Sequence, residues 1–300
     1  MTYSIVACDP VTKQLGVAVQ TCNLAVGTWV PWAEGGVGVV ATQSMAERSY
    51  GTLGLELMRG GMPARQALAA LLAADEQRDL RQVAMVDCRG RVANFSGSRC
   101  LPNAGMASGA GFSTQANMMA RDTVWGAMAE AYERARGDFA ERLLAALDAA
   151  EAEGGDIRGR QSAALLVVGR ERSRIPLIDL RVDHHPNPLC ELRRLLRLHR
   201  AYDAEYAIDG LLARGEQERA YGLVQKVLKW APGEAYLRYL CAIHLAGGLN
   251  RQQEALALLR PLIAEHPVWM EYLRRDAVAK LFGASGASAA LYEILHEEKL

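Results

Sequence analysis

Blocks of strands alternate with pairs of helices along the first 180 residues, with no strand–helix–strand repeat, and that order constrains the fold more than any other feature. The segments "TYSIVACD" and "LGVAVQTC" flank a short turn around Pro10–Gln14 and read as an antiparallel hairpin. A third strand, "GVGVVATQS", is apolar without alternation, as expected of a strand covered on both faces. Helices are expected over 49–60 and 63–75, the second with Pro63 in its first turn and an apolar stripe at Leu68, Leu71 and Leu72. "RQVAMVDCRGRVANFSG" then reads as a hairpin turning at Cys88–Gly90, with further strand or loop through "GAGFSTQANMMA". Helices over 122–136 and 138–153 lead to two more strands in "GGDIRGRQSAALLVVGRE" and "PLIDLRVD". Such segregated blocks argue for an α+β architecture, helices packed on antiparallel sheets.

In the first hairpin, pairing Asp9 with Leu15 puts Thr2 opposite roughly Cys22, so Gln20–Asn23 are expected near Thr2. From about residue 188 the pattern is wholly helical. A shift of 35 residues there aligns Ala220 with Ala255, Leu223 with Leu258, Val224 with Leu259, Val227 with Leu262 and Pro232 with Pro267. That period resembles the tetratricopeptide repeat, though the glycine expected early in the first helix is Ile208 or Ile243. Two domains follow: 1–200 and a helical, repeat-like 201–300.

Composition narrows the function. Lys+Arg and Asp+Glu both number 34, a formal net charge of zero, so neither nucleic acid nor an anionic membrane is an expected partner. The chain opens with no basic region followed by an apolar stretch and holds no run long enough to span a bilayer, so a cytoplasmic location is expected. Six cysteines are scattered without a CxxC pair, and no His/Cys spacing completes a metal site; buried free thiols, no metal and no cofactor are expected. All six histidines lie beyond residue 183, and Lys13 is the sole lysine before Lys226. A Ser-His-Asp or Cys-His triad is therefore impossible in the first 180 residues without an imported residue.

Thr2 offers another route. If Met1 is removed, as methionine before a small residue generally is, the freed α-amine sits within reach of its own residue's Oγ. The amine titrates near pH 8 and supplies the base that histidine supplies elsewhere. The bland alternative is that threonine is simply a good strand residue.

The stretches "TYSIVACDPVTKQLGVAVQT", "VGTWVPWAEGGVGVVATQS", "GGDIRGRQSAALLVV" and "LIDLRVDHHPNP" together resemble the bacterial domain-of-unknown-function family 1028, assigned to the N-terminal-nucleophile hydrolase-like superfamily. The resemblance implies a four-layer α-β-β-α sandwich over about residues 2–200 and Thr2 as the catalytic residue. Proteasome-like members of that superfamily carry a lysine on the third strand; here that strand offers Thr42 and Gln43.

Asp156, Arg158, Arg160, Gln161 and Ser162 form the densest polar cluster and could orient the amine or clamp a substrate carboxylate, or equally satisfy a turn and pair with one another. Gln20 and Gln43 are weaker candidates as amide donors to an oxyanion. The leading expectation is an amidohydrolase acting on a small or peptide-like amide. The alternative is a non-catalytic sandwich whose helical tail binds a protein or peptide. A homo-oligomer is expected for either.

Overall fold

The computed structural model describes residues 2–279 and 286–298. It divides into two units, Met1–Arg194 and Leu195–Leu300, each taken by itself below.

In the first unit, β1 (Thr2–Cys8) and β2 (Leu15–Thr21) form the expected hairpin, one residue out of the expected register. Cys8 pairs with Leu15 and Thr2 with Thr21, not Cys22. The cause is Asp9, which is drawn into the turn. Its N–H donates to Gln14 O at 2.8 Å, and its Oδ1 accepts from Val11 N at 3.0 Å and Thr12 N at 2.7 Å. A slip of one residue moves side chains to the opposite face. Thr21 therefore lies beside Thr2, and Gln20 faces the other side of the sheet.

Burial works against the Asp9 carboxylate, but hydrogen bonds from Thr12 and Val11 and the charge of Arg142, 2.8 Å away, outweigh it and hold its pKa below the ordinary 3.8. A depressed pKa contributes stability that is complete above the unfolded value and is lost as pH falls through the folded one. Asp9→Asn is expected to lower stability at pH 7, and the gap to wild type should shrink as pH falls below 3.8. Denaturant unfolding across that range checks this; a gap independent of pH would contradict it.

The remaining strands are β3 (Pro31–Glu34), β4 (Gly38–Ser44), β5 (Arg81–Asp87), β6 (Val92–Ser96), β7 (Gly105–Gly109), β8 (Phe112–Asn117), β9 (Ser162–Val168) and β10 (Ile178–Val182). They form a six-stranded sheet in the order β10-β9-β2-β1-β8-β7 and a four-stranded sheet β3-β4-β5-β6, every pairing antiparallel. Two features differ from expectation. The Trp-containing loop holds a strand, β3, entered through Pro31 at an edge where no ladder N–H is needed. The segment left as strand or loop is a hairpin, β7–β8, whose second strand inserts beside β1.

The helices are α1 (Ser49–Arg59), α2 (Ala64–Ala74), α3 (Val124–Arg134) and α4 (Phe139–Ala152). α1 and α2 pack on the four-stranded sheet over Tyr50, Leu55, Met58, Leu68, Val83 and Met85. Gly51 lies flat on the Trp32 ring, where a Cβ would come within 2.4 Å. α3 and α4 pack on the six-stranded sheet, with Leu143 and Phe139 filling the space over Gly16. Val6, Val17, Val19, Val39, Ala41, Ala84 and Val86 are buried between the two sheets. The result is a mixed fold of antiparallel sheets covered by helices.

The division between units falls inside α5 (Pro188–Ala213). In the first unit Arg193 of α5 bridges Glu141 and Asp148 of α4. The second unit is all-helical, adding α6 (Gln217–Trp230), α7 (Ala235–Gly247), α8 (Gln252–Glu265), α9 (Val268–Ala279) and α10 (Ala287–Glu297) around its own apolar core. α6 and α8 start 35 residues apart at Gln217 and Gln252, and Ala220, Val224 and Val227 are buried as are Ala255, Leu259 and Leu262. Among the described residues, no helix is long and apolar enough to cross a membrane.

Candidate active site

The space between the sheets changes character along its length. Near Cys8 it is filled by valine and alanine; at the Thr2 end β1, β2, β4, β5, β8 and β9 each bring a buried polar side chain. Ladder pairing places Asn117, Thr2, Thr21 and Ser162 in one row across β8, β1, β2 and β9. Directly paired residues in an antiparallel ladder share a face, so the row presents an amide and three hydroxyls to one side. The Thr2 hydroxyl donates to Thr21 Oγ1 at 3.2 Å.

Opposite the row, Gln43 donates from Nε2 to Gln82 Oε1 at 2.7 Å and to the Thr2 carbonyl at 3.1 Å, with the Gln115 carbonyl at 3.3 Å, while its Oε1 accepts from Ser4 Oγ at 2.6 Å. Gln82 accepts from Asn117 at 2.8 Å and donates to Ser96 Oγ, Ala116 O and Gly105 O. Buried amides are tolerated in a core when partners satisfy them, and such networks rigidify what they touch. Here they fix the Thr2 main chain.

A cavity of about 250 Å³ opens at this end of the row. Thr2, Thr21, Asn23, Gln43 and Ser44 supply its polar lining, and Leu24, Val26, Trp29, Val30 and Ala46 its apolar wall. Among the described residues, no charged side chain lines it. Two wall segments hold non-glycine residues in the left-handed region, Ser44 at φ 69° and Ala25 at φ 54°. Main-chain bonds pin the neighbourhood of each: Met45 N to Leu80 O at 3.2 Å, and Ala25 N to Asp183 O at 3.0 Å. Strain of this kind persists only where surroundings over-determine it, and it clusters at functional sites.

The residues singled out in the sequence fall into three places. Thr2 and Gln43 line the cavity. Both amide hydrogens of Gln43 are taken, so it supports the Thr2 carbonyl and is not free to serve an oxyanion. Gln20 lies on the α4 side of the sheet, where its amide donates to Tyr3 Oη and to Glu151, whose carboxylate also pairs with Arg160 at 3.1 Å. Burial and then the Glu151 carboxylate push the Tyr3 phenol well above its usual range, so it stays a donor to Glu151. Gln20 and Arg160 are thus removed from the cavity.

Asp156 is buried, accepting from Cys22 N at 3.2 Å and gripping Arg158 from Nη2 at 2.8 Å and Nε at 3.1 Å. That hydrogen-bonded pairing raises the Arg158 pKa further. Gln161 makes a side-chain contact with His184 Nδ1 at 3.1 Å, and its N–H donates to Thr21 O at 2.9 Å. Ser162 Oγ donates to Asn23 O at 2.5 Å and accepts from Val26 N at 3.0 Å. The cluster therefore serves the 22–26 loop and β2, and its arginines are engaged in ion pairs. Thr21 and Asn23 lie in the Gln20–Asn23 stretch expected near Thr2, though the sequence marks neither as a candidate side chain; Trp29 sits in an irregular loop whose only local signals are turn residues.

A protein-family model described as a family of unknown function, DUF1028, matches residues 2–192. The crystal structure of protein SPO2555 from Silicibacter pomeroyi, described with the same family, superposes with a TM-score of 0.60 at 36% identity, covering 65% of this chain and 88% of that one. No curated protein matches. The matched span contains the hydroxyl row, the amide network and every residue lining the cavity. The chain belongs to the DUF1028 family.

Proposed function

We propose that the first unit is a four-layer α-β-β-α sandwich of the N-terminal-nucleophile type and that it hydrolyses a small amide through Thr2. The observation that carries this reading is a hydroxyl facing a 250 Å³ cavity, 3.2 Å from a second hydroxyl, at the first position of a central strand. Removal of Met1 frees the Thr2 amine. The amine takes the hydroxyl proton while Oγ1 forms a bond to the substrate carbonyl carbon and the carbonyl π pair moves to oxygen. Collapse of that intermediate breaks the C–N bond, and the departing amine leaves with the proton held by the ammonium. Water then cleaves the Thr2 ester by the same steps in reverse roles.

The cavity supports a substrate class. With no charged side chain in its lining among the described residues and a wall of Leu24, Val26, Trp29 and Val30, it suits a neutral, apolar acyl group, because an unpaired charge there would lose its hydration without compensation. A panel of N-acyl anilides differing only in the acyl group tests this on protein lacking Met1. Neutral short acyl groups should be cleaved faster than anionic or cationic ones of equal size. Absence of turnover across the panel, or preference for charged acyl groups, would contradict the reading.

A second reading is favoured by the equivalent burial of α6 and α8 at a 35-residue offset: tetratricopeptide-like helical hairpins that dock a protein or peptide. Deleting 201–300 should then abolish partner capture while leaving the first unit folded; unchanged capture would count against it.

A further inference from the structure

We propose that the side-chain amide of Asn23 is the donor that receives the substrate carbonyl oxygen as it becomes an oxyanion, and that Asp156, Arg158 and Ser162 are the residues that position it. This rests on the Thr2 reading. Acyl transfer needs a hydrogen-bond donor fixed beside the nucleophile, because charge builds on the carbonyl oxygen as the new bond forms. The polar residues around the cavity narrow the choice. Gln43 has both amide hydrogens committed and Gln20 lies on the opposite face; of the remaining polar lining side chains, Thr21, Ser44 and Asn23, only Asn23 carries an amide. Asn23 lines the cavity together with Thr2 and Thr21.

Its orientation is fixed by chemistry. Arg158 Nη1 lies 3.3 Å from Asn23 Oδ1, and a guanidinium only donates, so the amide oxygen must face Arg158 and Nδ2 must point away from it. Among the described residues Nδ2 has no partner. Arg158 is itself immobilised by the Asp156 carboxylate, whose side chain is fully buried and also accepts from Cys22 N and Arg158 N. The Asn23 main chain is tied at its carbonyl by Ser162 Oγ, which simultaneously holds Val26 N. A half-buried ion pair and a cross-strand hydroxyl thus converge on one solvent-reaching amide at the cavity. In the reaction Asn23 transfers no proton; its N–H hydrogen-bonds the oxygen that receives the π pair.

The test uses full-length protein lacking Met1 and a β-lactone probe, whose ring C–O bond breaks as Thr2 Oγ1 is acylated, adding the probe's whole mass. Acylation is followed by intact mass for wild type, Thr2→Ala, Asn23→Ala and Asn23→Asp. The aspartate variant keeps an acceptor for Arg158 and lacks the donor, so it separates loss of the N–H from loss of the loop's anchoring. Both Asn23 variants are expected to acylate about 100- to 1,000-fold more slowly than wild type with unchanged thermal unfolding. Wild-type rates in both would overturn the assignment of Asn23 and leave the Thr2 reading standing. No adduct on wild type, or an adduct on Thr2→Ala at the wild-type rate, would overturn the Thr2 reading and the Asn23 assignment with it.

Discussion

A Thr2→Ala protein is expected to fold, to lose its N-terminal methionine as before, and to turn over no amide that the wild type cleaves. The substitution removes only Oγ1 and Cγ2 from a strand whose neighbours hold it by ladder pairing to Thr21 and Asn117. The one side-chain bond lost is that to Thr21 at 3.2 Å, worth about 1 kcal/mol. The chemical loss is of a different order, because without Oγ1 no acyl ester forms and the α-amine has no proton to take. Thr2→Ser keeps the hydroxyl and should retain measurable turnover. Product formation by chromatography, alongside thermal unfolding, separates the two effects. An alanine variant that is as active as wild type would remove Thr2 from the mechanism.

The largest expected effect on stability belongs to Gln82→Leu. Gln82 is fully buried in β5 and joins the two sheets, accepting from Gln43 and Asn117 and donating to Ser96, Gly105 and Ala116. Leucine matches its size and meets none of these groups. Stranding several buried donors and acceptors at about 1–3 kcal/mol each should cost about 3–5 kcal/mol in total, since neighbours relax in part. Gln66→Ala on the exposed side of α2 is the control and should stay within about 0.5 kcal/mol. Urea unfolding measures both. A loss below about 1 kcal/mol for Gln82→Leu would mean that the amide network adds little to holding the sheets together.

Much of this was legible in the amino-acid order. The apolar runs around Ile5, Val17, Val39 and Val83 read as strands, that around Val39 as one covered on both faces, with the helix pairs between them to pack on the sheets. What local patterning could not show was which distant strands meet. The pairing of β1 with β8, and of β2 with β9, decides that Asn117 and Ser162 join Thr2 in one row, and such contacts leave no trace in periodicity. The slip at Asp9 shows how sharply the site depends on one turn. A single residue drawn into the loop by two main-chain N–H groups exchanged Cys22 for Thr21 beside the nucleophile and turned Gln20 to the other face.

One signal was available and unused. Thr2, Thr21, Gln43, Gln82 and Ser162 each stand near the same end of a strand whose middle is mostly apolar, once the antiparallel directions are drawn. A polar residue repeated at one end of several buried strands costs too much to be incidental and marks where the sheets open into a cavity. The polar cluster at 156–162 was visible too, but its role was not. Its arginines read equally as carboxylate clamps or as partners within a turn; Arg158 is bound to Asp156 inside the cluster, and Arg160 to Glu151 on the far side of the sheet.

Everything proposed for Thr2 requires its amine to be free, so the most direct test is the intact mass of the purified protein with sequencing of its first peptide. The expected result is a mass short by one methionine and a first residue of threonine with an unmodified amine. Retention of Met1, or acetylation of Thr2, would leave the hydroxyl without its base and contradict the mechanism.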